Sequence, residues 1–136
     1  MKISAKTVYG LQALLEIALH PAMDELKTTE IASAQKIPAK FLEQIMVALK
    51  KAGLVKSLRG RSGGYSLGRR TAEISLLDVI EALEGKFEYK KSKRSTVVNE
   101  ALSLAMEKTS EALKSLTLEQ LIEEKRKKDR TFVYSI

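Results

Sequence analysis

Apolar residues recur at helical spacing along most of this chain, and the rhythm changes only in one short central stretch and at the end. Ser4 is the predicted N-cap of a first helix running to about Leu19, with Val8, Leu11, Leu14, Leu15 and Ala18 as its apolar stripe. Gly10 inside that helix costs roughly 1 kcal/mol against Ala, which points to a close packing contact there. Pro21 ends the helix and a polar connection runs to Lys27. Thr28 or Thr29 then caps a short second helix, with Glu30 near its positive end. Ile37-Pro38 turns the chain into a third helix over about 38–52. There Phe41, Leu42, Ile45 and Leu49 face a core, while Lys40, Glu43, Gln44 and Val47 point outward, and Gly53 is the stop.

The period then shortens. Leu54–Leu58 and Tyr65–Leu67 read as two β-strands around a glycine-rich turn, Arg59-Gly60-Arg61-Ser62-Gly63-Gly64. Helical spacing returns in SLLDVIEALEG, where Ser75 and Asp78 stand at capping-box distance. Leu76, Val79, Ile80 and Leu83 form its buried face, and Gly85 closes it. Lys86 to Arg94 is polar and basic and reads as a linker. A long helix follows over about 95–116. Val98, Leu102, Ala105, Thr109, Ala112 and Leu116 fall at spacings of 4, 3, 4, 3 and 4, the rhythm of a helix–helix seam. Leu104, Met106 and Leu113 widen the apolar surface, so the helix needs partners on more than one side, and a second copy of the chain is the expected one. Thr117-x-x-Gln120 is a capping box for a last helix to about Lys127, and Thr131 to Ile136 form a β-prone, aromatic tail.

The order helix, helix, tight turn, helix, hairpin predicts a mainly α chain. It comprises a winged helix-turn-helix over 1–85 with a small two-stranded wing, a basic linker at 86–94, a helical dimerisation arm at 95–127 and a tail at 128–136. Charge sharpens that picture. The 136 residues carry a formal net charge of +7, and Lys50 to Arg70 holds seven Lys or Arg and no Asp or Glu. A basic hairpin directly after an amphipathic helix is suited to a nucleic-acid backbone and groove. Lys40 is placed for a phosphate, Glu43 for a cytosine amino group and Gln44 for an adenine edge. Arg59 and Arg61 are long enough to enter a minor groove or grip the backbone. Thr28, Ser62 and Gly63 complete the candidate DNA-contacting set. Val98, Leu102, Ala105, Thr109 and Leu113 are the candidate dimer contacts.

Other chemistries are poorly served. RGRSGGYSLG lacks the spacing and the strand-to-helix context of a phosphate-binding loop. Cysteine is absent, which removes disulfides, thiolate nucleophiles and thiolate-ligated metal, and His20 is the only histidine. No enzymatic constellation and no cofactor site are expected. No apolar run is long enough to span a membrane, and MKISAKTVYG lacks a signal peptide's apolar core, so a cytoplasmic location is expected.

The string FLEQIMVALKKAGLVKSLRGRSGGYSLGRR, followed by ISLLDVIEALEG, resembles the Rrf-type winged-helix regulators, the family that includes IscR, NsrR and CymR. The shared pattern is a YLEQ-like recognition helix, an AGLV-x-S-x-RG junction, a GGY-x-L wing and a D-V/I-I-x-x-L-E-G helix. Lys6 to Gly10 and the run at 115–121 fit it as well. The resemblance implies a homodimeric, double-stranded-DNA-binding transcription regulator, expected to be a repressor. Its helix at 38–52 would lie in the major groove, Arg59 and the wing would contact the minor groove or backbone, and the long helix would join the subunits. Iron–sulfur members carry three cysteines after the E-G helix, whereas KFEYKKSKRSTVV has none, so cluster-based sensing is not expected. In that respect, and in its aromatic end, the chain is most similar to the CymR-like branch, which governs cysteine metabolism and acts with cysteine synthase. Tyr134, Ser135 and Ile136 are then candidates for an extended tail entering that enzyme's amino-acid pocket. The alternative function is a protein-interaction module that regulates such an enzyme without reading DNA.

Overall fold

The computed structural model describes residues 3–20, 26–58, 63–94 and 96–135, the last five of these as backbone only. The order is α1 (Ala5–Leu19), α2 (Thr28–Gln35), α3 (Ala39–Lys51), β1 (Val55–Leu58), β2 (Gly64–Leu67), a 3-10 turn (Thr71–Glu73), α4 (Leu76–Glu84), α5 (Thr96–Ser115) and α6 (Leu118–Ser135). The two strands pair antiparallel, with Val55 opposite Leu67 and Leu58 opposite Gly64.

Ser4 caps α1 as its sequence predicts, with its hydroxyl accepting from the Lys6 N–H. The buried face of α1 is rotated by one position from the expected stripe: Thr7, Gly10, Ala13, Leu14 and Ile17 are buried, while Val8 is exposed. Two residues without apolar bulk set that rotation. A Cβ on Gly10 would lie 2.4 Å from Leu83 Cδ1, so its bare backbone is what lets α1 close on α4. Thr7 donates its hydroxyl to Glu84 Oε1 at 3.0 Å, and Ser4 Oγ donates to the same oxygen.

Those hydroxyls, with Lys6 nearby, hold the Glu84 carboxyl below the usual carboxylate range, Ser4 contributing most. A carboxyl depressed in the folded state stabilises fully above its unfolded value, and that contribution fades as pH falls through the folded value. Glu84→Gln is therefore expected to lower the melting temperature at neutral pH. The gap to the parent should shrink between pH 5 and pH 3, as differential scanning calorimetry would record, and a gap independent of pH would refute the role given to this carboxylate.

At α2 the expected threonine cap is corrected: Lys27 is the N-cap, makes no side-chain capping bond, and leaves Thr28 as the first helical residue. Lys36 closes α2 in the left-handed region at φ 55°, and the Ile37 N–H bonds Ala32 O, so the turn into α3 is tight. Pro38 stands just before α3 as its N-cap residue. Leu42, Ile45, Met46 and Leu49 are fully buried, forming with Leu14, Ile31, Leu54, Ile74 and Val79 the centre of one core. At the end of α3, Gly53 N–H bonds Lys50 O and Leu54 N–H bonds Leu49 O, a Schellman closure with Gly53 at φ 77°.

The Ser75–Asp78 and Thr117–Gln120 capping boxes both form. The chain also returns to the winged core after α5: Leu118 N–H bonds Ile74 O, Leu76 N–H bonds Leu116 O, and Leu118 and Ile122 are buried in the same cluster as α1. The 86–94 segment, expected as a linker, is non-helical but pinned. Asn99 is buried, its Oδ1 accepts from Tyr89 Oη and from the Ser92 N–H, and its Nδ2 donates to Ser92 O. The tail is a correction: α6 does not stop near Lys127 but carries a helical backbone through Ser135, where a β-prone extension is expected from sequence. Ile136 lies outside the described residues.

Candidate nucleic-acid interface

The buried positions of α3 fix its other face. Lys40, Glu43, Gln44 and Val47 are all exposed and share one side of the helix, because positions 0, 3, 4 and 7 return to nearly the same angle. Val47, at the C-terminal end of this row, is 64% exposed. Its outward position is readable from the sequence, but not its use: an exposed branched methyl pair among polar groups suits a thymine methyl. Lys36, Lys50, Lys51 and Lys56, before and after the row in the chain, are exposed like Lys40, and among the described residues none of the five has a carboxylate within ion-pair distance. Thr28 is half-buried at the start of α2.

The wing is set against this helix by backbone contacts. Gly68 N–H bonds Leu54 O at 2.9 Å, and Arg69 donates to Ala52 O at 3.2 Å while pairing with Asp78 at 3.7 Å. Leu26, read in sequence as part of a polar connection, exchanges two backbone bonds with Tyr65 and is buried under the wing. Gly63 begins the return strand's approach at φ 52°. Arg59, Arg61 and Ser62 lie outside the described residues.

On α5 two neighbouring rows diverge. Asn99, Ser103, Met106, Ser110 and Leu113 are buried or half-buried and face the rest of the chain. Of the candidate dimer residues, Val98, Leu102, Ala105 and Thr109 lie on the exposed row, and Leu113 lies on the inward one. Val97, Leu104 and Leu116 extend the exposed apolar surface. Tyr134 and Ser135 have helical backbone at the end of α6.

A helix-turn-helix followed by an antiparallel hairpin, with the hairpin docked on the end of the second helix, defines a winged-helix protein. The chain belongs to the Rrf2 family, described as iron-dependent transcriptional regulators, whose model matches residues 3–124. It is similar to CymR, the global cysteine regulator of B. subtilis, at 33% identity and a TM-score of 0.80 over 91% of this chain and 98% of that one. IscR of T. potens matches with 35% identity and a TM-score of 0.74, over 91% and 88%. IscR of Vibrio atlanticus is 39% identical over 84 residues, 62% of this chain and 49% of that protein. The chain spans about half the length of the curated relatives that it matches first.

The family description mentions iron, and the residues here do not fit a cysteine-held cluster. The chain has no cysteine, and the 86–94 segment is held by hydrogen bonds from Asn99 to Tyr89 and Ser92. Among the described residues no group of His, Asp or Glu is arranged to ligate a metal. No helix among them is long and apolar enough to cross a membrane.

Proposed function

We propose that this chain is a transcription regulator that binds double-stranded DNA as a homodimer, acts as a repressor, and carries neither an iron–sulfur cluster nor an enzymatic activity. The observation that carries the reading is the exposed row Lys40, Glu43, Gln44 and Val47, with exposed lysines before and after it in the chain and the wing following. Such a surface is costly for any partner except a polyanion, and its polar middle can discriminate base edges. Lys40 and the lysines at the end of α3 neutralise phosphates, and Glu43, Gln44 and Val47 read bases. Arg59, Arg61 and Ser62, between β1 and β2 in the sequence, extend the contact, with Thr28 and Gly63 at its margins. The exposed row of α5 joins two copies, so that paired recognition helices meet two half-sites. A cytoplasmic location is part of the same proposal.

Likeness to the B. subtilis cysteine regulator makes promoters of cysteine-metabolism genes the first to test. Docking into cysteine synthase through Tyr134, Ser135 and Ile136 belongs to the same proposal, and because α6 is helical through Ser135 an extended docked end requires its last turn to unwind.

Fluorescence anisotropy with a duplex from the region upstream of the gene tests the reading. Binding should beat a scrambled duplex and weaken steeply with salt, with a log–log slope of several times about −0.9. Gln44→Ala should lower affinity by roughly 10- to 100-fold, equivalent to about 1–3 kcal/mol, while the melting temperature stays unchanged because the side chain is exposed. Equal affinity for the two duplexes, or an undiminished affinity in the variant, would remove α3 as the reading element.

A further inference from the structure

Among the described residues, two hollows lie away from the α3 face and the exposed row of α5. The larger, about 370 Å³ beside the first turn of α4, is bordered by Ser75 and Asp78, whose polar atoms already bond one another in the capping box. The smaller, about 180 Å³, lies between the 86–94 strap and the inward row of α5.

We propose that this smaller groove binds a small organic cation, an amine carried on an aromatic or alkyl body. Its walls are held from both sides. Phe87 N–H bonds Glu81 Oε2 at 3.3 Å, anchoring the strap to α4, and Tyr89 Oη bonds Asn99 Oδ1 at 3.1 Å, anchoring it to α5. Those bonds give the strap a fixed geometry against α5. Between the anchors, Phe87 and Tyr89 of the strap border open space that Ser103 and Met106 of α5 also line. Half-buried aromatic and thioether side chains beside an open groove are the kind of lining that ligand grooves present.

Charge selects the ligand. Five of the nine strap residues are basic, and the chain as a whole is at +7, yet none of the lining residues is a cation. The charged groups that line the groove are Glu88 and Glu107. Glu88 is paired with Lys86 at 3.4 Å, so Glu107, with no cation of the described residues in ion-pair distance, is the carboxylate left for a ligand. An ammonium beside Glu107 with its body against the Phe87 and Tyr89 rings meets both demands, and ring faces attract cations as well.

The test uses the full chain without DNA, so that its failure is distinct from a failure of DNA binding. Phenethylamine is titrated against the ¹⁵N-labelled protein and compared with 3-phenylpropionate, which has the same ring and a similar length but the opposite charge. The amine should shift amides at 87–89 and 103–110 and bind at least about tenfold more tightly than the acid. Glu107→Gln should weaken the amine about tenfold, and Ser103→Leu, filling the groove from the α5 side, should abolish the shifts. Comparable binding of acid and amine, full affinity in Glu107→Gln, or no localised shift at about 10 mM amine would each overturn the proposal.

Discussion

Leu102→Glu is expected to give a folded monomer that has lost tight DNA binding. Leu102 is 43% exposed on the outward row of α5, so a carboxylate there is solvated in a single chain and the fold has no reason to fail. A two-fold dimer brings the same row against itself, which buries each introduced charge close to its twin. The neighbours Val98, Ala105 and Leu104 offer no cation to offset it. With the subunits separated, the two half-sites are no longer bound by linked modules, and affinity should drop by about 10²-fold or more. Sedimentation velocity and anisotropy on the same sample check both halves of the claim. A variant that sediments as a dimer, or a monomer that binds DNA as tightly as the parent, would show that α5 is not the joint. Ser103, one position along on the inward row, serves as the control, because a polar change there leaves the exposed seam untouched.

What the sequence reveals of this fold is what short-range chemistry decides. Both capping boxes need only residues three apart, and the Gly53 stop needs only a left-handed backbone, so each is visible in the chain itself. The outward row of α3 is equally visible because its polar positions have a full helical period between them. The buried face of α1 is less so. Thr7 and Gly10 are inside because of Glu84 and Leu83, more than seventy residues away, and neither has the apolar bulk that a periodicity search counts. On α5 two rows at adjacent angles both carry apolar residues, so spacing alone cannot tell the one facing its own chain from the exposed one.

The strap and the tail fail for opposite reasons. Lys86 to Arg94 has a linker's composition, and only Asn99, a polar residue inside a helix, betrays the anchoring. Thr131 to Tyr134 have β-prone side chains, but no Gly or Pro stands between Leu118 and Ser135 to stop a helix already nucleated. Extending a helix costs only tenths of a kcal/mol per residue of poor propensity. The Lys125–Asp129 pair at 3.1 Å and the Lys127–Glu124 pair at 3.8 Å brace the turn before it.

Gly68→Ala is expected to destabilise the protein by about 1–3 kcal/mol, the usual range for overpacking, or roughly 3–12 °C in melting temperature for a domain of this size. A methyl at Gly68 would stand 2.3 Å from Gly53 O and 3.1 Å from Gly53 C, and both atoms belong to backbone that cannot rotate aside. That carbonyl sits in the Schellman turn closing α3, and Gly68 N–H is bonded to Leu54 O one residue further on. The methyl must therefore push the return strand of the wing away from the end of the reading helix. A displaced wing no longer meets DNA in register with α3, so affinity should fall together with stability. Gly53 separates this cause from a general intolerance of glycine replacement. A Cβ there meets nothing within 4 Å, and its only demand is the positive φ of 77°. Gly53→Asn, which tolerates the left-handed region, should keep most of the stability, whereas Gly68→Asn should be at least as damaging as Gly68→Ala. Thermal melts of the four proteins decide the matter: a Gly68→Ala variant melting within about 1 °C of the parent would mean that the wing root has slack, and that its seat on α3 is not what aligns the two DNA-facing elements.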